Sequence, residues 1–287
     1  MRKSGLYEYQ PKLNEETTMT IRNITLGADP ETIVARNGII THAIGLIGGT
    51  KEDPRKIFRA GREVGAVQED NVLYEFNIMP HDSRQGFVDN IQQMLDVGRE
   101  ILGDGYEITN KTSHIFSHEE MAHFPDSAFI FGCEPDFFAG TGDVNPKPSA
   151  PWPGLRTAGG HVHFGFDERV IKDAAHVQDL IKLCDIFMAL PSMQLDSDDL
   201  RKELYGKAGA YRPKAYGAEY RTLSGFWIHN PDNTAFVFDQ AQKAYDALST
   251  GLGRELLARF PYDLIVDIIN SNDRKRAERA VKVMQVA

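Results

Sequence analysis

Four short segments of the chain each set two chemically active side chains two residues apart. They are Asp29 and Glu31, Glu75 and Asn77, His161 and His163, and Glu219 and Arg221. In a β-strand, residues at i and i+2 point to the same side. Four such strands laid side by side would give one sheet face carrying carboxylates, imidazoles and a guanidinium. Burying such groups without partners is very costly, so this face calls for mutual pairing, water, or bound cations and anions. Carboxylates mixed with a His or an Asn suit hard ions, Mg2+ or Mn2+, which also hold phosphates.

Each pair alone has a plainer reading. Asp29-Pro30-Glu31 reads as a turn, Glu75 as a solvated position on a two-faced strand, and Glu219 with Arg221 as a surface ion pair of little energetic value. His161-Val162-His163 is the most unusual segment, because Gly159-Gly160 before it permits close approach to a ligand. Zinc has less support, since the HExxH pattern is absent. No GxxxxGK[ST] loop or GxSxG elbow occurs either. Gly45 to Lys51 could cradle an anion or be a mobile hairpin loop, and Tyr211 to Tyr216 could line a pocket or be a solvated loop.

The elements that must position these residues are β-rich in the first two-thirds. Ile21 to Ala35 alternates as strands would, with a break expected at Asp29-Pro30-Glu31. Asn37-Gly38 is a two-residue hairpin signal. Val64 to Gln68 and Val72 to Ile78 flank Glu69-Asp70-Asn71, which predicts a second hairpin ended by Pro80. Ser83 to Gly103 reads as an amphipathic helix with Phe87, Ile91, Met94, Leu95 and Ile101 on its apolar face. Phe129 to Phe131, Val162 to Phe166 and Ala218 to Leu223 read as strands, and Gly140 to Gly154 as a long loop over a site. Val170 to Leu190 predicts a second helix. From Asn230, a cap followed by Pro231, the chain turns helical, with further helices starting near Pro261 and Asn272. Strands first and helices later predict an α+β fold.

The chain has 287 residues, 41% hydrophobic and 25% charged, with a net charge of −9. That length can bury a core without staples. The acidic balance argues against a broad phosphate-tracking surface, and so against duplex nucleic acid as partner. No run approaches the ~18 apolar residues of a membrane span. Cys133 and Cys184 stand apart, without zinc-finger spacing, and read as buried thiols of a reducing cytoplasm. No linker divides the chain, so we expect a polar N-terminal arm over residues 1–19 and one domain over 20–287.

Four stretches occur in a telling order: Gly27-Ala28-Asp29-Pro30-Glu31, Leu73-Tyr74-Glu75-Phe76-Asn77, Arg156 to Gly165 with its Gly-Gly-His-Val-His, and Ala218-Glu219-Tyr220-Arg221. Together they resemble the phage-type COOH·NH2 ligases, or amidoligases, a family related to glutamate–cysteine ligase and glutamine synthetase. The likeness spans roughly Ile21 to Trp227. Gly48-Gly49-Thr50-Lys51 and Gly132 to Phe137 also look like family segments. The resemblance implies a glutamine-synthetase-like fold, a curved and mainly antiparallel sheet with helices on its outer face. It implies ATP and Mg2+ or Mn2+ on the inner face. Asp29, Glu31, Glu75, His161 and Glu219 would then be metal ligands, and Arg221 would contact the transferred phosphate. His163 would sit nearer the substrate. Asp29 departs from the family, where a Glu-x-Glu is common, and reaches less far.

The expected reaction is ATP-dependent joining of a carboxylate to an amine through an acyl phosphate. Its substrates would be small molecules or peptides. It needs no protein nucleophile, which agrees with the missing Ser and Cys motifs. Lys51, Arg156, Arg212, Lys214 and Arg221 are candidate nucleotide and oxyanion contacts, and Asp136 is a candidate general base. Three rivals are a guanidino-type phosphotransferase, a metal-dependent hydrolase, and a non-enzymatic phage particle or interaction protein that kept the fold. A second copy of the chain or a phage protein would be its partner, in the host cytoplasm.

Overall fold

The four motif-bearing segments lie in one sheet. The computed structural model describes residues 24–129, 135–148, 152–166 and 171–286. Strands β1 (Thr25–Thr32), β2 (Val34–Arg36), β3 (Ile39–Thr41), β4 (Arg55–Arg59), β5 (Arg62–Asp70) and β6 (Leu73–Ile78) precede helix α1 (Arg84–Leu102). Then come β7 (Tyr106–Ile108), β8 (Ser113–Ile115), the one-turn α2 (His118–Met121), β9 (Phe137–Phe138), β10 (Leu155–Thr157) and β11 (Gly160–Gly165). Helix α3 (Ala174–Cys184) passes through a π-helical turn, Asp185–Ala189, into α4 (Leu190–Ser192). The hairpin of β12 (Ala210–Lys214) and β13 (Gly217–Tyr220) leads to α5 (Pro231–Thr250), α6 (Leu252–Arg259), α7 (Tyr262–Asn270) and α8 (Arg274–Val286).

The main sheet has the order β4-β5-β6-β1-β11-β13-β12-β9, and its neighbours pair antiparallel. One face carries the core. Leu26, Tyr74, Phe76, Val162, Phe164, Ala218 and Tyr220 are buried there. Helix α1 covers β5 and β6, and α3 covers β12 and β13. Phe87, Ile91, Met94 and Leu95 of α1 belong to the same core. Ser83 caps α1 by accepting from the Gly86 N–H at 3.2 Å. A methyl at Gly98 would sit 2.6 Å from the Tyr74 ring, so the glycine lets α1 lie close on β6. Tyr74 Oη then donates to the Met94 carbonyl at 2.9 Å. The α+β class is as the element order predicts, and the antiparallel sheet is as the resemblance implies.

Several local expectations change. Strand β1 runs straight through Asp29-Pro30-Glu31 rather than turning. It is bonded to β11 through Pro30 opposite Gly160. On its β6 side, pairing lapses between the Leu26–His81 bridge and the Glu31–Glu75 pair, so the missing proline N–H breaks no ladder bond there. Strand β5 extends through Asp70, and Asn71 at φ 56° makes a tighter turn than Glu69-Asp70-Asn71 would. Tyr211 to Lys214 is strand, not loop. Phe129 closes a 3-10 turn, Asp126–Phe129, and the rest of the strand predicted over Phe129 to Phe131 lies outside the described residues. Asn37-Gly38 makes the predicted hairpin, with φ 51° and 79°.

Cys184 is buried as a free thiol. Cys133, the 1–19 arm, Glu134 of the Gly132 to Phe137 segment and the start of the helix predicted at Val170 lie outside the described residues. No helix among the described residues is long and apolar enough to cross a membrane.

Candidate active site

Antiparallel register puts the four spaced pairs on the sheet face opposite the core. Asp29 stands across from His161, and His163 across from Glu219. Arg212 stands across from Glu219 on the other side. In the opposite direction Glu31 faces Glu75, and Glu75 faces Gln68. The period of two then carries Asp70, Asn77, Lys214 and Arg221 onto the same face. These side chains, except the fully buried Glu219, line a cavity of about 570 Å³, whose wall also holds Lys51, Arg156, Arg201, Tyr205 and Tyr216. The residue types of β1, β6, β11 and β13 thus converge as their spacing predicts.

On the β11-β13-β12 side, charges are interleaved. Glu219 is fully buried, yet Arg221 pairs with it, Lys214 Nζ lies 2.8 Å from Oε2, and Arg212 Nη1 lies 3.4 Å from Oε1. Burial and Asp29 push its carboxyl up, but Arg221 and the two histidines outweigh them and hold it at about 2. Asp29 Oδ1 lies 2.9 Å from His163 Nε2 and 3.3 Å from His161 Nδ1. Burial opposes ionisation of Asp29, and His163 and His161 overcome it, keeping the carboxyl well below its usual range. Burial and the neighbouring Arg221 lower His161 to about 4, so its ring is neutral at pH 7. Burial would lower His163 as well, but Asp29 prevails and raises it. His163 is the more exposed of the two, and its Nδ1 meets the Tyr216 hydroxyl at the end of the β12–β13 hairpin.

On the β5-β6-β1 side, carboxylates face one another. Glu31 accepts the Gly159 N–H at 2.6 Å, and Glu75 accepts Gln68 Nε2 at 2.8 Å. Both donors are neutral. Burial, reinforced by Asp70, pushes Glu31 up to about 7. Burial and the charges of Asp29, Asp70 and Glu31 push Glu75 well above its usual range. Asp70 is raised by burial, with Lys51 and Arg221 opposing. Such a cluster is suited to bound cations, which would let all three acids ionise.

Asp29, His163 and Glu219 offer ligand atoms within 4.8 Å of one another. Three basic side chains already compensate Glu219, so a dication there would compete with them. In the Glu31–Asp70–Glu75 group the acids repel one another, with Asp29 adding to the charge on Glu75, while Lys51, Arg221 and Arg201 act on Asp70 and Glu31. Arg156 is 3% exposed. It bonds Asn71 Oδ1 and the carbonyls of Ala128, Pro153 and Leu155, so it secures the cavity wall. Asp136 stands outside the cavity lining, accepts from Asn145 Nδ2 at 2.9 Å, and lies 3.4 Å from Arg221 Nε.

Gln68, Asp70 and Arg201 escaped the sequence reading, whereas Tyr216 belongs to the stretch read as a possible pocket wall. Gln68 and Asp70 repeat the i, i+2 spacing, hidden by the turn read at Glu69-Asp70-Asn71. Arg201 lies in a charged stretch, Asp196 to Glu203, that carries no motif or spacing to mark it. It is 3% exposed.

Residues 148–251 match the family model described as Phage phiEco32-like COOH.NH2 ligase-type 2. This is the family that the motifs resemble, by its description a COOH·NH2 ligase family. The matched stretch carries His161, His163, Arg201, Arg212, Lys214, Glu219 and Arg221. The acidic strands β1, β5 and β6 lie before it. No curated protein matches the chain.

Proposed function

We propose that the protein is an ATP-dependent carboxylate–amine ligase working through an acyl phosphate. The observation that carries this reading is the polarised cavity. Glu31, Asp70 and Glu75 crowd the β5-β6-β1 side, Arg212 and Lys214 stand on the β12 side, and Arg221 lies between them, acting on both Glu219 and Glu31. Its volume of about 570 Å³ falls within the range of small-ligand sites. The donor set of carboxylates beside imidazole and amide groups fits Mg2+ or Mn2+. Glu31, Glu75, Asp70 and Asp29 would hold such ions, which when bound would neutralise phosphate charge and fix phosphate oxygens.

The chain's own groups then have distinct tasks. A substrate carboxylate oxygen attacks the terminal phosphorus of ATP, and ADP leaves. The amine nitrogen next attacks the acyl carbon, and phosphate departs. Arg221, held by Glu219 and Asp136, would meet the charge on the transferred group, with Lys214 and Arg212 beside it. The neutral His161 ring holds Asp29 without adding charge, and His163 with Tyr216 lies toward the cavity mouth. Between the two poles the reactants would be held in line, which supplies much of the acceleration when no protein nucleophile is used.

The test is to incubate the protein with ATP, Mg2+ and host extract and to identify by mass spectrometry a metabolite that gains an amide as ADP appears. Glu31→Gln and His161→Ala should each abolish that product while the protein stays folded. Full activity in either variant would overturn the metal-site assignment. A stable phosphorylated nitrogen in place of an amide would instead make the protein a phosphotransferase.

A further inference from the structure

Arg201 is a buried guanidinium with few partners. It lies on a short 3-10 turn, Leu200–Glu203, in the connection between α4 and β12. Asp198 fixes the start of that turn. Its carboxylate accepts the Leu200 N–H at 3.0 Å, while Thr112 and Ser113 hydroxyls donate to it at 2.6–2.8 Å. Arg201 Nη1 donates to the Thr222 carbonyl at 3.2 Å, beside Arg221. Gly206, at φ +72°, clears the space, since a Cβ there would sit 2.5 Å from that Nη1. The remaining N–H capacity is underused. Nε has no hydrogen-bond partner, although the residue is only 3% exposed and lines the cavity.

A buried guanidinium has five N–H donors in a planar fork, and leaving them unmet is costly. Arg201 and Arg221 both line the cavity, and both favour the charged form of Glu31, so they lie within electrostatic reach of the same acid. A cation pair beside the acidic end of a cavity suits an anion that also carries bound dications, and tetrahedral phosphate is the simplest such group. We propose that Arg201, together with Arg221, binds a phosphoryl anion at the acidic end of the cavity. That the phosphoryl group comes from ATP rests on the ligase reading, whereas the capacity to bind phosphate does not.

Calorimetric titration with inorganic phosphate in Mg2+ buffer, and separately with MgATP, tests this on the full-length protein. Arg201→Gln should weaken phosphate binding by about 10- to 100-fold, the range for lost charge-assisted hydrogen bonds, and weaken MgATP likewise. Arg201→Lys keeps the charge but loses the fork, so a loss of about threefold or more is expected. Lys282→Gln, on the surface of α8, should bind as the unsubstituted protein does. A folded Arg201→Gln with unchanged phosphate affinity overturns the proposal. If that variant fails to fold, unchanged affinity in Arg201→Lys does so. Unsubstituted protein that binds phosphate but not MgATP would keep the Arg201 site and remove the ligase reading. MgATP binding that Arg201→Gln leaves intact would keep the ligase and remove the site. Binding of neither removes both.

Discussion

On β11, β13 and β12, acids and bases alternate: Glu219 meets Arg212, Lys214 and Arg221, and Asp29 meets His161 and His163. On β5, β6 and β1, Glu31 and Glu75 accept only neutral donors and, with Asp70, crowd acid against acid, while Lys51, Arg201 and Arg221 temper the charge on Asp70 and Glu31. Both sets share one sheet face, and each has a buried glutamate, Glu75 in one and Glu219 in the other, among half-buried neighbours, so depth does not explain the contrast. The first half is a network of ion pairs, and in the second the acids crowd one another. A network that balances itself needs nothing from outside. Acids that stay crowded in a folded cavity mark where a ligand of opposite charge belongs.

The largest expected effect follows from changing the same chemical group in the two halves. Glu219→Gln leaves three cations around a neutral amide and should cost about 3–5 kcal/mol of stability, as removal of one partner from a buried ion network does. Glu75→Gln removes repulsion among acids, so the metal-free protein should be unchanged or gain on the order of 1 kcal/mol, while Mn2+ binding is lost. Urea unfolding measures the first pair of values, and calorimetry with Mn2+ alone the last. Equal destabilisation by the two variants would erase the contrast.

The pH dependence of the acidic half comes next in size. The Glu31 carboxyl is raised from 4.5 to about 7 in the fold. Between those values the folded chain holds a proton that the unfolded chain has released, so stability falls as pH rises through this window. The loss should be on the order of 3 kcal/mol. Glu31→Gln should flatten that part of the profile, and Mn2+ added at pH 7 should restore stability to the unsubstituted protein by stabilising the ionised carboxylate. A profile that keeps its slope in Glu31→Gln would assign the effect to another group.

The contrast also accounts for what could be read from the sequence. Spacing of two reveals which side chains share a face, and His161 with His163 or Glu219 with Arg221 needed nothing more. Asp29-Pro30-Glu31 was harder, because a proline ends a strand unless its missing N–H falls where pairing lapses, and that depends on β6. Asp70 was lost for a similar reason, since Asn71 adopts the left-handed conformation that lets β5 run two residues longer. Arg201 could not be read at all. Its burial comes from the fold of a polar loop against β8 and β13, contacts far apart in sequence that leave no local period. The family match repeats this division, covering the balanced half and stopping short of the acidic strands.

The smallest effect concerns Asp136, which joins the balanced half from outside. It lies 3.4 Å from Arg221 Nε with its side chain 21% exposed, and Asn145 holds its other oxygen. A partly solvated pair of this length contributes up to about 1 kcal/mol, so Asp136→Asn should lower stability by no more than that. A general base would behave otherwise, since its loss typically slows a reaction by about 100-fold or more. With the cavity lined by other groups, Asp136 is better placed to orient Arg221 than to take a proton from an amine. Amide formation by Asp136→Asn should therefore stay within about tenfold of the unsubstituted rate, with KM moving more than kcat, because a loosened Arg221 weakens hold on the anion. A fall of about 100-fold in kcat at unchanged KM would return Asp136 to the role of base.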